Sequence, residues 1–219
     1  PYLVIADATG RADRTQILAA APISLAEIEA AFAAEIETRA EVTLDALSGA
    51  VRGRRMRCLG RIILSEAPLE KVDPKEIEAA LIGFLQREGL TRAPWDEAAL
   101  QLRARVALMR AREGDAWPDW SDAALRETLD DWLPVSHARR LADLEGRLAG
   151  ALEGQLPYAM KQRLETEAPT RLETPAGGSH RIDYAAPGGP AVDVRLQELF
   201  GLAAHPHVAG APLVLRLTS

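Results

Sequence analysis

The spacing of apolar and polar positions changes twice along this chain. Over the first 70 residues the apolar runs are short and broken by turn-forming stretches. "YLVIA" (2–6) and "RTQILAA" (14–20) read as strands, with "DATGRAD" between them as a turn. Residues 24–37 switch to helical spacing. Ser24 is placed at an N-cap, Glu27 stands three residues on in a capping-box position, and Leu25, Ile28 and Phe32 form the expected buried stripe. "EVTLDAL" (41–47), a Ser48–Gly49 turn and "AVRGRRMRCL" (50–59) read as a hairpin, and "RIILSE" (61–66) as one more strand. Several short strands with one helix predict a small barrel, or part of one, over residues 1–70.

From residue 71 to 166 the period becomes helical. Asp73, Pro74 and Glu76 open a helix that Gly89 ends, with Ile77, Leu81, Phe84 and Leu85 on its apolar face. Residues 95–114 predict a second helix with Leu102, Val106 and Met109 inward. Residues 121–133 predict a third, stopped by Pro134. A fourth spans 137–154, with Leu141, Leu144, Leu148 and Leu152 on one face, and a fifth runs over 158–167. Five helices with short links predict a helical bundle.

Residues 167–219 return to strand patterning. "TRLET" (170–174), the turn "PAGGS" and "HRIDY" (180–184) read as a hairpin. After the Pro/Gly turn at 186–190, "AVDVRLQELFGL" reads as a short helix over 193–200. Asp193 is its N-cap, Leu196, Leu199 and Phe200 are its packing face, and Gly201 is its stop. "APLVLRLTS" (211–219) is the last strand, expected to lack its partner. The fold class that follows is α+β: a small β-barrel portion (1–70), a helical bundle (71–166) and a small β-rich C-terminal unit (167–219).

Composition changes the picture only modestly. At 219 residues, 47% hydrophobic and 26% charged, the chain is ordinary globular material. No apolar run approaches the roughly 18 residues that span a bilayer. The single cysteine, Cys58, cannot form an internal disulfide, which fits a cytoplasmic setting. The chain starts at Pro1 already in a strand pattern, so it is expected to be a piece of a longer protein.

Charge is more informative. The net charge is −6, yet "VRGRRMRCLGR" (51–61) holds Arg52, Arg54, Arg55, Arg57 and Arg61 with no acid; these contribute +5 and leave −11 to the rest. Arginine offers forked donors to phosphate oxygens, so Arg52, Arg54, Arg55 and Arg57 are the first candidates for contact with nucleic acid. On a strand Arg55 and Arg57 share one face, and Arg52 and Arg54 the other. Charge on an edge strand that blocks unwanted pairing is the simpler alternative. A second set, Arg103/Arg110 and Arg105/Arg112, forms two rows on the 95–113 helix; a solvated face salted by acids is the alternative there. Aromatics make up only 5% of the chain, so binding should favour the backbone over sequence.

Other chemistry finds little support. No G-x-x-x-x-G-K-[ST] loop occurs, and "DEAA" (96–99) opens an amphipathic helix rather than ending a buried strand. His205–Pro206–His207 has no second ligand cluster, so it reads as a loop. His137 and His180 read as capping or surface groups, and no Ser has an ordered His and acid partner in a recognisable motif. Trp95, Trp117, Trp120 and Trp132 read as packing in the helical region.

"APTRLETPAGGSHRIDY" followed by "VRLQELFGL" resembles the C-terminal signature of the HrpB type of bacterial DExH-box ATP-dependent helicase. "PYLVIADATGRADRTQILAAAPI", "LGRIILSEAPL", "ALQLRARVALMR" and "WPDWSDAALRETLDDWL" follow that family's pattern in the same order. The departures are Arg171 where the family often has His, and Pro175–Ala176–Gly177 where it has Pro-Ser-Gly. The family also continues past the last strand, so the terminal unit is expected to be truncated at Ser219. The resemblance implies an accessory, non-motor region whose RecA-like motor domains precede Pro1, with residues 1–70 OB-like. ATP and magnesium are then implied for the motor domains and no cofactor or metal for this piece, which should be catalytically inactive alone. The implied partners are the motor domains of the same parent chain and a single strand, RNA first, with no membrane contact and a monomeric state. A protein-interaction scaffold without nucleic-acid binding is the alternative, and an unrecognised small-molecule enzyme a third.

Overall fold

The structure is a computed structural model and describes residues 2–11 and 14–218. Pro1, Ala12, Asp13 and Ser219 lie outside the described residues, and with them part of the expected 7–13 turn and the end of the expected 211–219 strand. Contacts divide the chain into two compact units, Pro1–Thr43 with Val51–Asp73, and Leu44–Ala50 with Pro74–Ser219.

The first unit holds β1 (Tyr2–Arg11), β2 (Arg14–Ile23), α1 (Leu25–Ala31), β3 (Ile36–Leu44), β4 (Val51–Leu59) and β5 (Ile62–Pro68). β1 and β2 pair as an antiparallel ribbon, so the strand pattern runs through most of the expected turn. α1 starts as the sequence indicates. Ser24 accepts from the Glu27 amide while the Glu27 carboxylate accepts from the Ser24 amide, and Ile28 is buried. It stops at Phe32, five residues short of the expected end, and Phe32 stays 37% exposed. β3, β4 and β5 form a meander sheet in that order. The barrel expected for residues 1–70 does not close. Ribbon and sheet meet through a side chain, Tyr2 Oη donating to Leu64 O at 3.0 Å, and closure would need a backbone ladder between them.

The second unit carries α2 (Pro74–Glu88), α3 (Glu97–Glu113), α4 (Asp122–Glu127), α5 (Leu129–Trp132), α6 (Leu148–Gln155) and α7 (Tyr158–Glu167). The stripe of α2 is buried as its spacing demands, and so are Leu102, Val106 and Met109 of α3. Asp96 caps α3, accepting from the Ala99 amide at 2.8 Å, which is the work the "DEAA" stretch does here. The expected 121–133 helix breaks in two at Thr128, whose hydroxyl donates back to Ala124 O. The expected 137–154 helix is a correction of larger size. His137 has φ +66° and Gly146 φ +71°, both left-handed, and only a 3₁₀ turn (Leu141–Leu144) forms before α6. Leu141, Leu144, Leu148 and Leu152 are buried all the same, so their spacing reported burial correctly and helix continuity wrongly.

The same unit ends in β6 (Arg171–Glu173), β7 (Ser179–Asp183), β8 (Ala191–Arg195), the short pair β9 (His207–Val208) and β10 (Ala211–Pro212), and β11 (Val214–Thr218). The sheet order is β11-β8-β7-β6. The expected 193–200 helix is overturned here. Residues 191–195 form the central strand, antiparallel to β7 and parallel to β11, and 196–199 make one 3₁₀ turn. Ala191, Val192 and Val194 are buried, while Leu196 and Phe200, expected to pack, are 51% and 68% exposed. The last strand therefore has a partner, β8, brought in from 23 residues upstream. Among the described residues the fold is mixed α+β, with seven helices and four sheets, none closed into a barrel.

Candidate nucleic-acid interface

β4 presents its arginines in the expected alternation. Arg55 and Arg57 lie on one face, where Arg57 meets Glu29 of α1. On the other face Arg54 sits between Glu41 and Glu66, each at 3.1 Å. Arg52 is exposed as well. Arg55 makes no ion pair among the described residues. Exposed pairs of this kind contribute little to stability, so a phosphate oxygen can replace a carboxylate here at small cost. Gly53 explains how the strand holds its place. A Cβ there would lie 2.6 Å from Val72 and 3.0 Å from Leu69, and Leu69 N donates to Gly53 O at 2.9 Å. The arginine strand is thus pressed closely by residues 69–72, which only glycine allows.

The α3 arginines have a different fate. Arg103 donates to Trp120 O and to Asp122, and its guanidinium lies 4.6 Å from the centre of the Trp95 ring. Arg105 is 5% exposed; its Nε donates to Ala168 O at 2.7 Å, and its Nη2 to Leu164 O at 3.2 Å and Glu165 at 2.6 Å. Arg110 donates to Trp117 O and Asp115. Arg112 pairs with Glu113 and Glu167. Three of these four guanidinium groups serve carbonyls at or beyond the ends of neighbouring elements, above all the last turn of α7. Sequence spacing shows two arginine rows but not the carbonyls waiting for them.

Around Trp117 the charges form a closed network. Arg163 bonds Glu113 at 2.6 Å and Glu167 at 2.8 Å, and Trp117 Nε1 donates to Glu113 at 2.9 Å. Hydrogen bonds from Arg163 first, then Arg112 and Trp117, pull the Glu113 carboxyl down to about 2; Arg112 and then Arg163 lower Glu167. Burial raises the Tyr184 phenol above its ordinary range. Trp117, Trp120 and Trp132 are buried, and Trp132 stacks on Trp95, as expected for packing residues.

Two of the histidines sit together, the His205 and His207 rings edge to face with centroids 5.7 Å apart. His205 contacts Leu213 O and His207 contacts His205 O, each at 2.8 Å. Among the described residues no group of three or more His, Cys, Asp or Glu side chains is placed to hold a metal ion. His180 pairs with Glu198, against Thr174 and the close-packed Gly178, a contact made only when the 3₁₀ turn is brought to the β6–β7 hairpin. No helix among the described residues is long and apolar enough to cross a membrane.

The family described as ATP-dependent helicase C-terminal matches residues 132–219. The ATP-dependent RNA helicase HrpB of Escherichia coli (strain K12) is 31% identical over 186 residues, 81% of this chain. Over most of its length this chain matches HrpB. The structure of E. coli DExH-box NTPase HrpB covers 99% of the chain with a TM-score of 0.66 at 30% identity. A second, of E. coli DEAH/RHA helicase HrpB, covers 84% with a TM-score of 0.64 at 32% identity. The chain spans 23% of the length of the K12 HrpB, and 28% and 24% of the two solved chains. It corresponds to a C-terminal region of HrpB, and the arginine strand and the α3 arginines both lie within the stretch shared with the solved HrpB chain that covers 99% of it.

Proposed function

We propose that this chain is the accessory C-terminal region of an ATP-dependent helicase, placing a single nucleic-acid strand and bracing the motor domains of the same parent. The observation that carries the reading is β4, where Arg52, Arg54, Arg55 and Arg57 sit on one strand and the carboxylates paired with Arg54 and Arg57 are themselves open to water. Phosphate contact is the chemistry such side chains serve best, and the scarcity of aromatics favours backbone over base contact. RNA is the first choice of strand because the E. coli relative is named an RNA helicase. Arg103, Arg105, Arg110 and Arg112 enter chiefly by holding the second unit together. ATP and magnesium belong to the motor domains, since this sequence carries no phosphate loop. Residues 1–70 are read as an open, OB-like module on the family resemblance alone, and the protein as a cytoplasmic monomer.

The test is fluorescence anisotropy of a labelled single-stranded RNA across a salt series, for the chain and for Arg52/Arg54/Arg55/Arg57→Ala. Removing one phosphate contact should lower the log–log salt slope by about 0.7. An unchanged slope in a folded variant defeats the placement on β4. A protein-docking role without nucleic acid is the second reading, favoured by the ribbon, where Leu3 and Leu18 are 61% and 56% exposed. RNA binding absent at low salt would leave that one standing.

A further inference from the structure

A cavity of about 320 Å³ lies in the second unit between α3, α6, α7 and β7. Its walls are apolar, formed by Leu102, Leu156, Leu164, Ile182 and the Tyr184 ring. They are set before any ligand arrives. Tyr184 Oη donates to Pro169 O at 2.7 Å, and Gln101 bridges Asp183 Oδ1 and the Tyr184 amide at 2.8 and 2.7 Å. Five charged groups face this space, Arg105, Lys161 and Arg181 against Glu153 and Glu165, and Arg181 is already paired with Glu97 outside the lining at 2.9 Å. Arg105 spends Nε and Nη2 on protein acceptors, which leaves Nη1 without one among the described residues. Lys161 and Glu153 make no ion pair among the described residues either.

We propose that this cavity takes one unstacked nucleobase of the strand on which the parent helicase works, a site that rests on the nucleic-acid reading above. The volume is at the bottom of the range for small-ligand sites, roughly 300–1,000 Å³, and admits one ring system rather than an extended ligand. Apolar walls with one aromatic ring suit the faces of a base. With Arg181 answered by Glu97, the other two cations stand against two carboxylates, which gives a phosphate little net attraction. That balance suits a base edge, which shows acceptors and donors side by side. Arg105 Nη1 and Lys161 donate to a base carbonyl or ring nitrogen, and Glu153 accepts from an exocyclic amine. Adenine, guanine and cytosine carry that amine and uracil does not, so uracil binds least.

The experiment is an NMR titration of the intact chain with each nucleoside 5′-monophosphate and with ribose 5-phosphate. Two variants accompany it: Ala98→Phe, which places a ring into the cavity from an exposed helix position, and Lys161→Gln, at a half-buried position. The expected result is saturable shifts at Ala98, Gln101, Lys161 and Tyr184 with the three amine-bearing nucleotides. Binding of the uridine nucleotide should be roughly tenfold weaker, the discrimination of one good base-edge contact. Ala98→Phe should abolish the shifts and Lys161→Gln should weaken binding, both in folded protein. Equal shifts with ribose 5-phosphate would make this an anion site and overturn the proposal. Silent cavity residues, alongside RNA binding that depends on the β4 arginines, would overturn it while leaving the β4 reading intact. If neither RNA nor any nucleotide binds, both fall.

Discussion

Four arginines on β4 and four on α3 are the same residue in dense clusters, and their surroundings set them apart. On β4 the neighbours of Arg54 and Arg57 are carboxylates with their own access to water, so the guanidinium groups remain accessible and exchangeable. On α3 the neighbours include carbonyls at the ends of other elements, which have few partners of their own. A guanidinium that fills such a position becomes part of the fold, because withdrawing it strands both the carbonyls and the charge. Arginine density alone therefore does not distinguish a strand-gripping surface from an internal clamp. The acceptors around it do.

The sharpest way to break this comparison is Arg105→Met. With Ala168 O and Glu165 left without their donor, and Leu164 O keeping only the Ala168 amide, the second unit should lose about 2–4 kcal/mol of stability by urea unfolding. A loss under about 1 kcal/mol, the ordinary effect of a surface change, would mean the clamp is ornamental. Gly53→Ala comes next. The new Cβ collides with Val72 and Leu69, and stability should fall by about 1–3 kcal/mol, seen in the first unit's melting. If melting is unchanged, residues 69–72 do not press on the arginine strand.

The acid response is a smaller effect. An unfolded chain binds a proton at Glu113 near the ordinary 4.5, whereas the folded chain does so only near 2. Between those values the unfolded state holds more protons, so the stability this network contributes is present above about pH 5 and fades toward pH 2. Glu167 shifts in the same direction. The urea midpoint should fall over that window, and Arg163→Gln should flatten the fall; a parallel fall in the variant would assign it to other carboxylates. Smallest in stability is Arg55→Ala. Without an ion pair among the described residues, it should change stability by less than about 0.5 kcal/mol while lowering the RNA salt slope by about 0.7. A large fall in stability with an unchanged slope would place it with the α3 group.

Much of the fold was legible where local chemistry and burial agree. The Ser24–Glu27 box, the α2 stripe and the inward face of α3 are each settled within a few turns of chain. The 141–152 leucines were legible as core but not as helix, because left-handed backbone at His137 and Gly146 interrupts a spacing that burial alone preserves. Of the candidate site, the β4 cluster could be read because a strand's alternation is local. The clamping role of the α3 arginines could not, since Arg105 finds its acceptors about 60 residues away.

By itself the sequence determined where the chain buries apolar surface, which helices are capped, where arginine concentrates and which family the ordered motifs resemble. Tertiary structure decided the state of residues 191–200 and the openness of the β-rich first unit. "AVDVRLQELF" carries helical spacing in its second half and buried β-branched valines in its first, so neither state wins on local grounds. It becomes a strand because β7 on one side and β11 on the other supply backbone partners for both of its edges. Those hydrogen bonds come from residues about 10 and 23 positions away, beyond the reach of any local pattern.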